Sequence, residues 1–373
     1  MRTARHGLLG RWVLVIVIIV SLGSAARVGR ASASPVAPQQ SATLAWTGPL
    51  ACPPNGCAGG QTVSLRFFYA PQGLIAASPN LTVCLYAPAG WVDPATARAS
   101  ISSNGINTGK PYTPASDPGA CSPPTGMALV IRATASLDPN NTNSDAVEFA
   151  FRLAPHATGI NGVAAAMLVY DGSAWTAQQT SFSSTLQAYD PGAPGLAYVA
   201  NDAAACGFYQ PCYVNSGVDL PDGIGTGLKD AVDILQPPAA SGPATINLLG
   251  NYSVKGNTVK VDKALTLTAL GNATLTYNDL RACDKPMLSL EAAVTLSGLT
   301  VNDGGCTGPH RDLIRVASPQ PVLIQSNTLT GGNNAILIDD TITTGTVTVR
   351  FNQITGNAGK SVSYQGDGTQ GGA

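Results

Sequence analysis

Short stretches of alternating hydrophobic and polar residues recur along the chain and predict β-strands. In residues 322–332, VLIQSNTLTGG, apolar residues alternate with polar ones before an asparagine, a leucine and two glycines. Alternation with a period of two residues is typical of a strand that buries one face. The stretch therefore predicts a strand, a sharp bend and a second short strand.

The same pattern occurs at least four times in the C-terminal half. The third residues of the copies are 29, 28 and 25 residues apart. Repeats of this length that contain only strands indicate stacked coils, since propeller blades need longer strands. We therefore predict a parallel β-helix in which one apolar position per coil forms an interior column: Leu267, Leu296, Ile324 and Val349.

Asparagines follow the strand in the last two copies. We expect Asn327 and Asn352 to take a left-handed conformation at the bend and to hydrogen-bond between coils, as a structural ladder. The second strand of each unit places Val301, Leu329 and Ile354 at one position. The first copy slips there and offers Asn272.

A short amphipathic helix is predicted just before the repeats. Residues 225–235 read GTGLKDAVDIL, with Leu228, Ala231, Val232 and Leu235 at helical spacing. Because the first coil of a solenoid exposes an unpaired strand edge, this helix is expected to cap it.

The N-terminal half is predicted to be a β-sandwich over residues 41–190. It contains about seven strand-like runs separated by turns rich in Pro, Asn and Gly. Trp91 is expected to cover one end of the sandwich, with sugar stacking as the alternative. Residues 191–211 are rich in Pro, Gly and Ala and predict a linker.

Residues 1–33 have the pattern of a secretory signal peptide. Arg2, Arg5 and Arg11 precede an apolar run, WVLVIVIIVSL at 12–22, and Ala-Ser-Ala at 31–33 suits cleavage. The run is short against the about 20 residues that span a bilayer. Without its five arginines the chain keeps 15 basic and 21 acidic residues, a net charge of −6. This charge argues against nucleic acid as a partner.

Composition supports an all-β, exported protein. Only 11% of residues are charged, against about 25% in average proteins. Eight cysteines in an exported chain favour disulfides, and a metal centre is not expected because the chain has no C-x-x-C and its histidines are scattered. The expected pairs are Cys52–Cys57, Cys84–Cys121, Cys206–Cys212 and Cys283–Cys306.

The segment CYVNSGVDLPDGIGTGLKDAVDIL with LSGLTVNDGG and IQSNTLTGG resembles right-handed parallel β-helix proteins of the pectin-lyase-like superfamily. The resemblance covers residues 212–358. It implies an all-β chain, a sandwich followed by a right-handed β-helix with a short N-terminal capping helix. The sandwich resembles an immunoglobulin-like accessory module by architecture. Residues 359–373 are a polar tail without a cap, and we expect the chain to be truncated there.

The resemblance implies two enzyme classes. Polygalacturonase-like hydrolases use aspartates from neighbouring coils, but their downstream His and Arg-Ile-Lys motifs are missing. Pectate-lyase-like enzymes bind calcium through clustered acids and use a basic residue, so calcium is expected as a cofactor under that interpretation alone. The candidate catalytic residues are Asp303, Asp312, Asp339, Asp340, Arg311 and Arg315.

Two functions follow as hypotheses. The first is a secreted or cell-surface protein, without catalysis, whose solenoid presents a long surface to a polysaccharide or a cell-envelope protein. The alternative is a lyase or glycoside hydrolase acting on acidic polysaccharide. Sugar grooves carry exposed aromatic residues and converging acids. The repeats offer few aromatic residues, which favours the first hypothesis.

Overall fold

The computed structural model describes residues 42–49, 52, 56–69, 80–103, 106–111, 121–136, 145–170, 175–183, 185–217, 223, 225–236, 242–254, 258–277, 284–304, 312–340, 342 and 345–365. These residues belong to one compact unit, Gln40–Ala373. They form an all-β structure with two short helices. The predicted fold class, a β-sandwich followed by a parallel β-helix with a capping helix, is confirmed.

Two antiparallel sheets form the sandwich. The first has the order β1-β3-β8-β5-β6 and contains β1 (Thr43–Gly48), β3 (Thr62–Tyr69), β5 (Val92–Ser103), β6 (Ile106–Pro111) and β8 (Asp145–Leu153). The second has the order β11-β10-β4-β7 and contains β4 (Asn80–Pro88), β7 (Met127–Ser136), β10 (Ala164–Tyr170) and β11 (Trp175–Phe182). Alternate residues of both sheets enter one core, including Leu65 and Phe67 from one and Val83 and Leu85 from the other.

Trp91 belongs to this core. It retains only 4% of its surface exposed and lies in the turn between β4 and β5. The structural interpretation is therefore confirmed, because a buried ring is not available to stack on a sugar. Trp175 lies at the start of β11.

A small third sheet and three disulfides complete the sandwich and its border. The sheet has the order β2-β12-β9, with β2 (Cys57–Ala58), β9 (Gly159–Asn161) and β12 (Leu186–Tyr189). The bridges are Cys52–Cys57, Cys84–Cys121 and Cys206–Cys212, as predicted. Cys283 and Cys306, the fourth predicted pair, lie outside the described residues.

The C-terminal half winds as a solenoid of about four coils. Its first sheet has the order β14-β13-β15-β17-β19-β22-β25, with β13 (Leu196–Ala200), β14 (Cys212–Val214), β15 (Ala244–Val254), β17 (Leu265–Tyr277), β19 (Val294–Ser297), β22 (Val322–Gln325) and β25 (Val347–Arg350). A second row of strands extends from β15 and β17 through β20 (Thr300–Asn302), β23 (Thr328–Thr330) and β26 (Gln353–Thr355). A further sheet contains β16 (Val259–Val261), β18 (Leu288–Leu290), β21 (Ile314–Val316), β24 (Ile336–Ile338) and β27 (Val362–Tyr364).

The predicted interior column is present. Leu267, Leu296, Ile324 and Val349 are successive partners in parallel register, and the first three are almost fully buried. Val349 is only partly buried, in the last coil. Burial of such side chains contributes about 1.5–3 kcal/mol each, so the column is a main source of solenoid stability.

The first copy has Asn272 where the later copies have an apolar residue, and the structure explains this difference. The partner of Val301 is Leu275, not Asn272, because β17 runs on without a break and carries extra residues at its corner. Pairing between β15 and β17 also shifts at this corner, between Leu249 and Asn251. Asn272 is therefore exposed and outside the second column.

The asparagine ladder is present, but its backbone conformation differs from the prediction. Asn352 Oδ1 accepts from the backbone N–H of Asn327 at 2.9 Å and from its Nδ2 at 3.0 Å. The left-handed residues are those just before the asparagines, Ser326 (φ 55°) and Phe351 (φ 56°). Gly298 (φ 70°) occupies the same corner one coil earlier. The residue before each asparagine thus adopts the left-handed conformation, and the asparagine side chain hydrogen-bonds to the backbone of the preceding coil.

The predicted capping helix is confirmed. Helix α2 (Gly227–Ile234) follows the N-cap Thr226, whose side chain accepts from the N–H of Lys229. Leu228, Ala231 and Val232 are buried in the solenoid core. The other helix, α1 (Ala203–Cys206), has one turn. In the described part of the chain, no helix is long and apolar enough to cross a membrane.

Two boundaries differ from the prediction. Residues 191–211, expected to be a linker, contain β13 and α1, and β13 pairs with β15 in the first solenoid sheet. Residues 359–373, expected to be a polar tail, contain β27, which pairs with β24. The solenoid thus starts and ends further out, because short strands in Ala- and Ser-rich sequence give a weak hydrophobic signal.

Candidate functional site: the front face of the solenoid

The outward side chains of the first solenoid sheet form two unbroken columns, which we call the front face. Register places the first column as Leu196, Thr245, Thr266, Thr295, Leu323 and Thr348. The second column is Tyr198, Asn247, Thr268, Ser297, Gln325 and Arg350. Six strands spaced by about 4.8 Å make the face about 24 Å long. It suits an extended ligand that crosses the coils.

Neighbouring side chains of the second column hydrogen-bond to each other. Ser297 Oγ donates to Thr268 Oγ1 at 3.3 Å, and Arg350 Nε donates to Gln325 Oε1 at 2.9 Å. These bonds hold hydroxyl, amide and guanidinium groups in fixed positions. The column therefore offers preorganised donors and acceptors to a polar ligand.

A groove of about 650 Å³ runs beside the first column. The size falls within the about 300–1,000 Å³ range of ligand sites. Its wall is formed by residues that precede each strand, and its floor by outward residues of the strands. The lining includes Pro243, Ala264, Ala293, Pro321, Thr346, Thr295, Leu323, Thr348 and Arg350. The groove is apolar with hydroxyls on its floor, as in sites that bind partly apolar, partly hydroxylated molecules.

Aromatic residues lie at the N-terminal end of the front face. Tyr198 begins the second column, and its ring lies 4.7 Å from the ring of Tyr209, centroid to centroid. Phe208 is 97% exposed. Sequence reasoning missed all three because residues 191–211 were interpreted as a linker. The motif CGFYQPC, two aromatic residues between two cysteines, was the available signal.

Two of the repeat tyrosines are internal, whereas Tyr364 in the last coil is 45% exposed. Tyr252 and Tyr277 are fully buried. Burial raises the pKa of Tyr252, and the bond that its hydroxyl accepts from the Leu228 N–H at 2.9 Å opposes this rise. The hydroxyl itself donates to Asn215 Oδ1 at 2.6 Å. Tyr252 thus connects the first coil to the capping helix.

Asp303 and Asp312 support the turn of the next coil. Asp303 is buried, and its Oδ2 accepts from the backbone N–H of Gly332 at 2.8 Å. Asp312 Oδ1 accepts from Asn334 through the backbone N–H at 3.1 Å and through Nδ2 at 2.7 Å. Both carboxylates hold the residue 332–334 turn, so their observed bonds are structural.

Asp339 is engaged elsewhere, with Arg315. Its Oδ2 accepts from Arg315 Nε at 2.8 Å and Nη2 at 2.6 Å, at the end of β24. Asp340 beside it is exposed. Arg311 lies outside the described residues. Among the residues that the structure describes, no group of three His, Cys, Asp or Glu side chains is arranged to hold a metal ion. Asp303 and Asp312 thus both bond to the 332–334 turn, whereas Asp339 pairs with Arg315.

A second polar cluster lies between the sandwich and α2. Arg152 of β8 forms ion pairs with Asp230 at 2.9 Å and with Asp233. Asp230 is fully buried, and its carboxylate also accepts from the N–H and the hydroxyl of Thr62, both at 2.7 Å. Burial raises the pKa of Asp230, and the charge of Arg152 opposes this rise.

Comparisons with known proteins do not assign a function to the chain. No protein-family model matches the chain, and no curated protein matches it well enough to count as a relative. Three solved structures resemble part of it: AvmM, which catalyses macrocyclization in alchivemycin A biosynthesis (12% identity, TM-score 0.25, 41% of this chain and 89% of that one); the collagen-binding subdomain of the Enterococcus faecalis surface protein ACE (10%, 0.22, 39% and 97%); and a collagen-binding domain from a Staphylococcus aureus adhesin (8%, 0.22, 40% and 97%). These TM-scores are too low to support a functional inference.

Proposed function

We propose that the protein is secreted or exposed at the cell surface, and that it binds a glycan or an envelope protein through the front face without catalysing a reaction. One observation carries the proposal. Two outward columns continue over six strands in strict register beside a groove of about 650 Å³. Solenoids commonly use such extended surfaces for recognition.

Three disulfides support an extracellular location. Bridges persist in oxidising compartments and are rare in the cytosol. The signal-like pattern at residues 1–33 agrees with this. Under the same proposal, the sandwich is an immunoglobulin-like module and the solenoid is a right-handed member of the pectin-lyase-like superfamily.

The enzyme alternative receives less support from the geometry. Glycoside hydrolases place two carboxyl groups about 5–10 Å apart around the scissile bond. Asp303 and Asp312 hold backbone turns, and Asp339 is paired with Arg315. Incubation with acidic polysaccharides, with and without calcium, tests this alternative. New reducing ends or unsaturated products would favour it.

The binding proposal is tested by blocking the groove. Thr295→Lys places a long charged side chain on the groove floor. Thr300→Lys, in the same coil but on β20, is the matched control because both threonines are half-buried and point outward. We expect Thr295→Lys to weaken binding to an immobilised panel of polysaccharides and envelope proteins at least tenfold, and Thr300→Lys to leave it unchanged. Equal affinities of both variants for every bound panel member would overturn the proposal.

A further inference from the structure

The aromatic residues at the end of the front face lie on a covalently closed loop. Cys206 and Cys212 bridge a separation of six residues, and the loop between them carries Phe208 and Tyr209. The loop is also held by its backbone, because the Tyr198 N–H donates to the Pro211 carbonyl at 2.8 Å. A closed and anchored loop loses little conformational entropy when it binds.

The exposure of these rings is not explained by packing. Phe208 is 97% exposed and Tyr209 is 45% exposed, while the Tyr209 ring lies against that of Tyr198 at an angle of 34°. Large apolar side chains held outward in a rigid loop commonly mark recognition sites. The tyrosine pair and Phe208 thus provide apolar ring surface at one end of the second column.

The segment that carries the rings holds a single charged side chain. Within residues 196–217 this is Asp202, whose carboxylate caps α1 by accepting from the Ala205 N–H at 2.9 Å. The next positions of the second column are Asn247, Thr268 and Ser297. The site therefore combines an aromatic platform with neutral hydrogen-bonding groups. The cation of the second column, Arg350, lies at its far end and bonds to Gln325, so the aromatic end itself offers no cation for a phosphate or a uronate.

We propose that Tyr198, Phe208 and Tyr209 form a stacking subsite for one sugar ring of a neutral polysaccharide, whose chain continues along the second column. This inference rests on the proposed function and names the ligand class for that face. The C–H groups of a sugar ring pack on an aromatic face by dispersion, while its hydroxyls reach polar neighbours. A protein partner is less well suited, since stable protein interfaces bury over about 1,000 Å² around an apolar core, and here polar residues border three rings.

The test uses defined oligosaccharides and the full chain. Cellohexaose, xylohexaose, maltohexaose and hexagalacturonate are titrated by calorimetry against the wild type. We expect at least one neutral hexasaccharide to bind and hexagalacturonate not to bind. Phe208→Ala and Tyr209→Ala should each raise the Kd about tenfold, which corresponds to about 1.4 kcal/mol. Ile160→Ala, at an apolar residue of β9 that is 67% exposed, is the control and should leave the Kd unchanged.

The outcomes separate this inference from the proposed function. Because the Phe208 side chain is almost wholly exposed, Phe208→Ala should fold normally, and circular dichroism checks this. If Thr295→Lys abolishes glycan binding while Phe208→Ala and Tyr209→Ala retain it, the stacking subsite is wrong. The proposal that the front face binds a glycan is then still supported. Preference for hexagalacturonate, or no binding of any neutral hexasaccharide, would also overturn the subsite. If Thr295→Lys and Thr300→Lys bind every partner equally, both the stacking subsite and the proposed function are wrong.

Discussion

At the residue scale, each late corner of the solenoid depends on one asparagine. Asn327 Oδ1 accepts from the Leu299 N–H at 3.0 Å, and Nδ2 donates to the Leu296 carbonyl at 3.1 Å. The side chain is 2% exposed, so water does not substitute for it. The sequence predicted which asparagines form the ladder, because they recur at one position. It placed the left-handed turn on them wrongly, because Ser326 and Phe351 are unusual residues for that conformation.

Replacing Asn327 should therefore destabilise the solenoid. Asn327→Ala leaves the Leu299 N–H without this acceptor and the Leu296 carbonyl without this donor, at about 1–3 kcal/mol for each buried group. We expect the free energy of unfolding in urea to fall by about 3 kcal/mol. Asn272→Ala, at the exposed corner of the first copy, should change it by less than about 0.5 kcal/mol. Similar losses for both variants would contradict the structural role of the ladder.

At the element scale, the hydrophobic period predicted the repeated strands and the capping helix, and it missed the irregular elements. The strands of four coils and the capping helix follow from spacing, since residues 228, 231 and 232 can share one helical face. The corner of β17 was not predicted, because its added residues shift the strand register without changing the composition. Strand β13 and the aromatic loop escaped because Pro- and Gly-rich sequence is typical both of linkers and of tight, disulfide-closed turns.

The capping role of α2 predicts a large effect from its buried leucine. Leu228→Ala removes a fully buried side chain from the start of the solenoid core. We expect a loss of about 2–5 kcal/mol, since a cavity forms beneath the helix. The matched control is Leu270→Ala, where the leucine is 40% exposed at a corner of β17. Its loss should stay below about 1 kcal/mol in the same thermal or urea melts. Equal losses would mean that α2 does not anchor the first coil.

At the scale of the whole molecule, sandwich and solenoid are joined by buried polar contacts. Thr62 and Arg152 of the sandwich both bond to Asp230 of the capping helix. Gln61 also reaches across, since its Nε2 donates to the Val214 carbonyl at 2.8 Å. The sequence pointed instead to two separate domains joined by a linker, because residues 191–211 are rich in Pro, Gly and Ala. Only the fold places the sandwich against the face of α2 that carries Asp230.

Removing the cation of this junction should expose its dependence on pH. Arg152→Met leaves the buried carboxylate of Asp230 without its main counter-charge, which costs about 3–5 kcal/mol near neutral pH. It also raises the pKa of Asp230 further, because Arg152 opposes the effect of burial. A carboxyl whose folded-state pKa is raised penalises folding fully above that pKa, and the penalty shrinks as pH falls and disappears below the unfolded-state pKa. Urea melts at about pH 7 and about pH 4.5 should therefore show the variant closer to wild type in acid.

The control for the junction lies on neighbouring strands of the sandwich. Arg66 pairs with Glu148 at 3.4 Å, and its side chain is 32% exposed. Arg66→Met should cost about 1 kcal/mol or less, as for partly exposed ion pairs. A loss for Arg152→Met that matches this small value at every pH would show that the junction does not hold the two halves together.

The most direct measurement of the central claim is threonine-methyl NMR of the full chain during titration with a bound partner. The front-face threonines are Thr245, Thr266, Thr268, Thr295 and Thr348. The internal controls on the second row of strands are Thr274, Thr276, Thr300, Thr328, Thr330 and Thr355. We predict chemical-shift changes in the first set, with the methyl signals of the second set unmoved. Shifts confined to the second set, or a bound partner that moves neither, would contradict it.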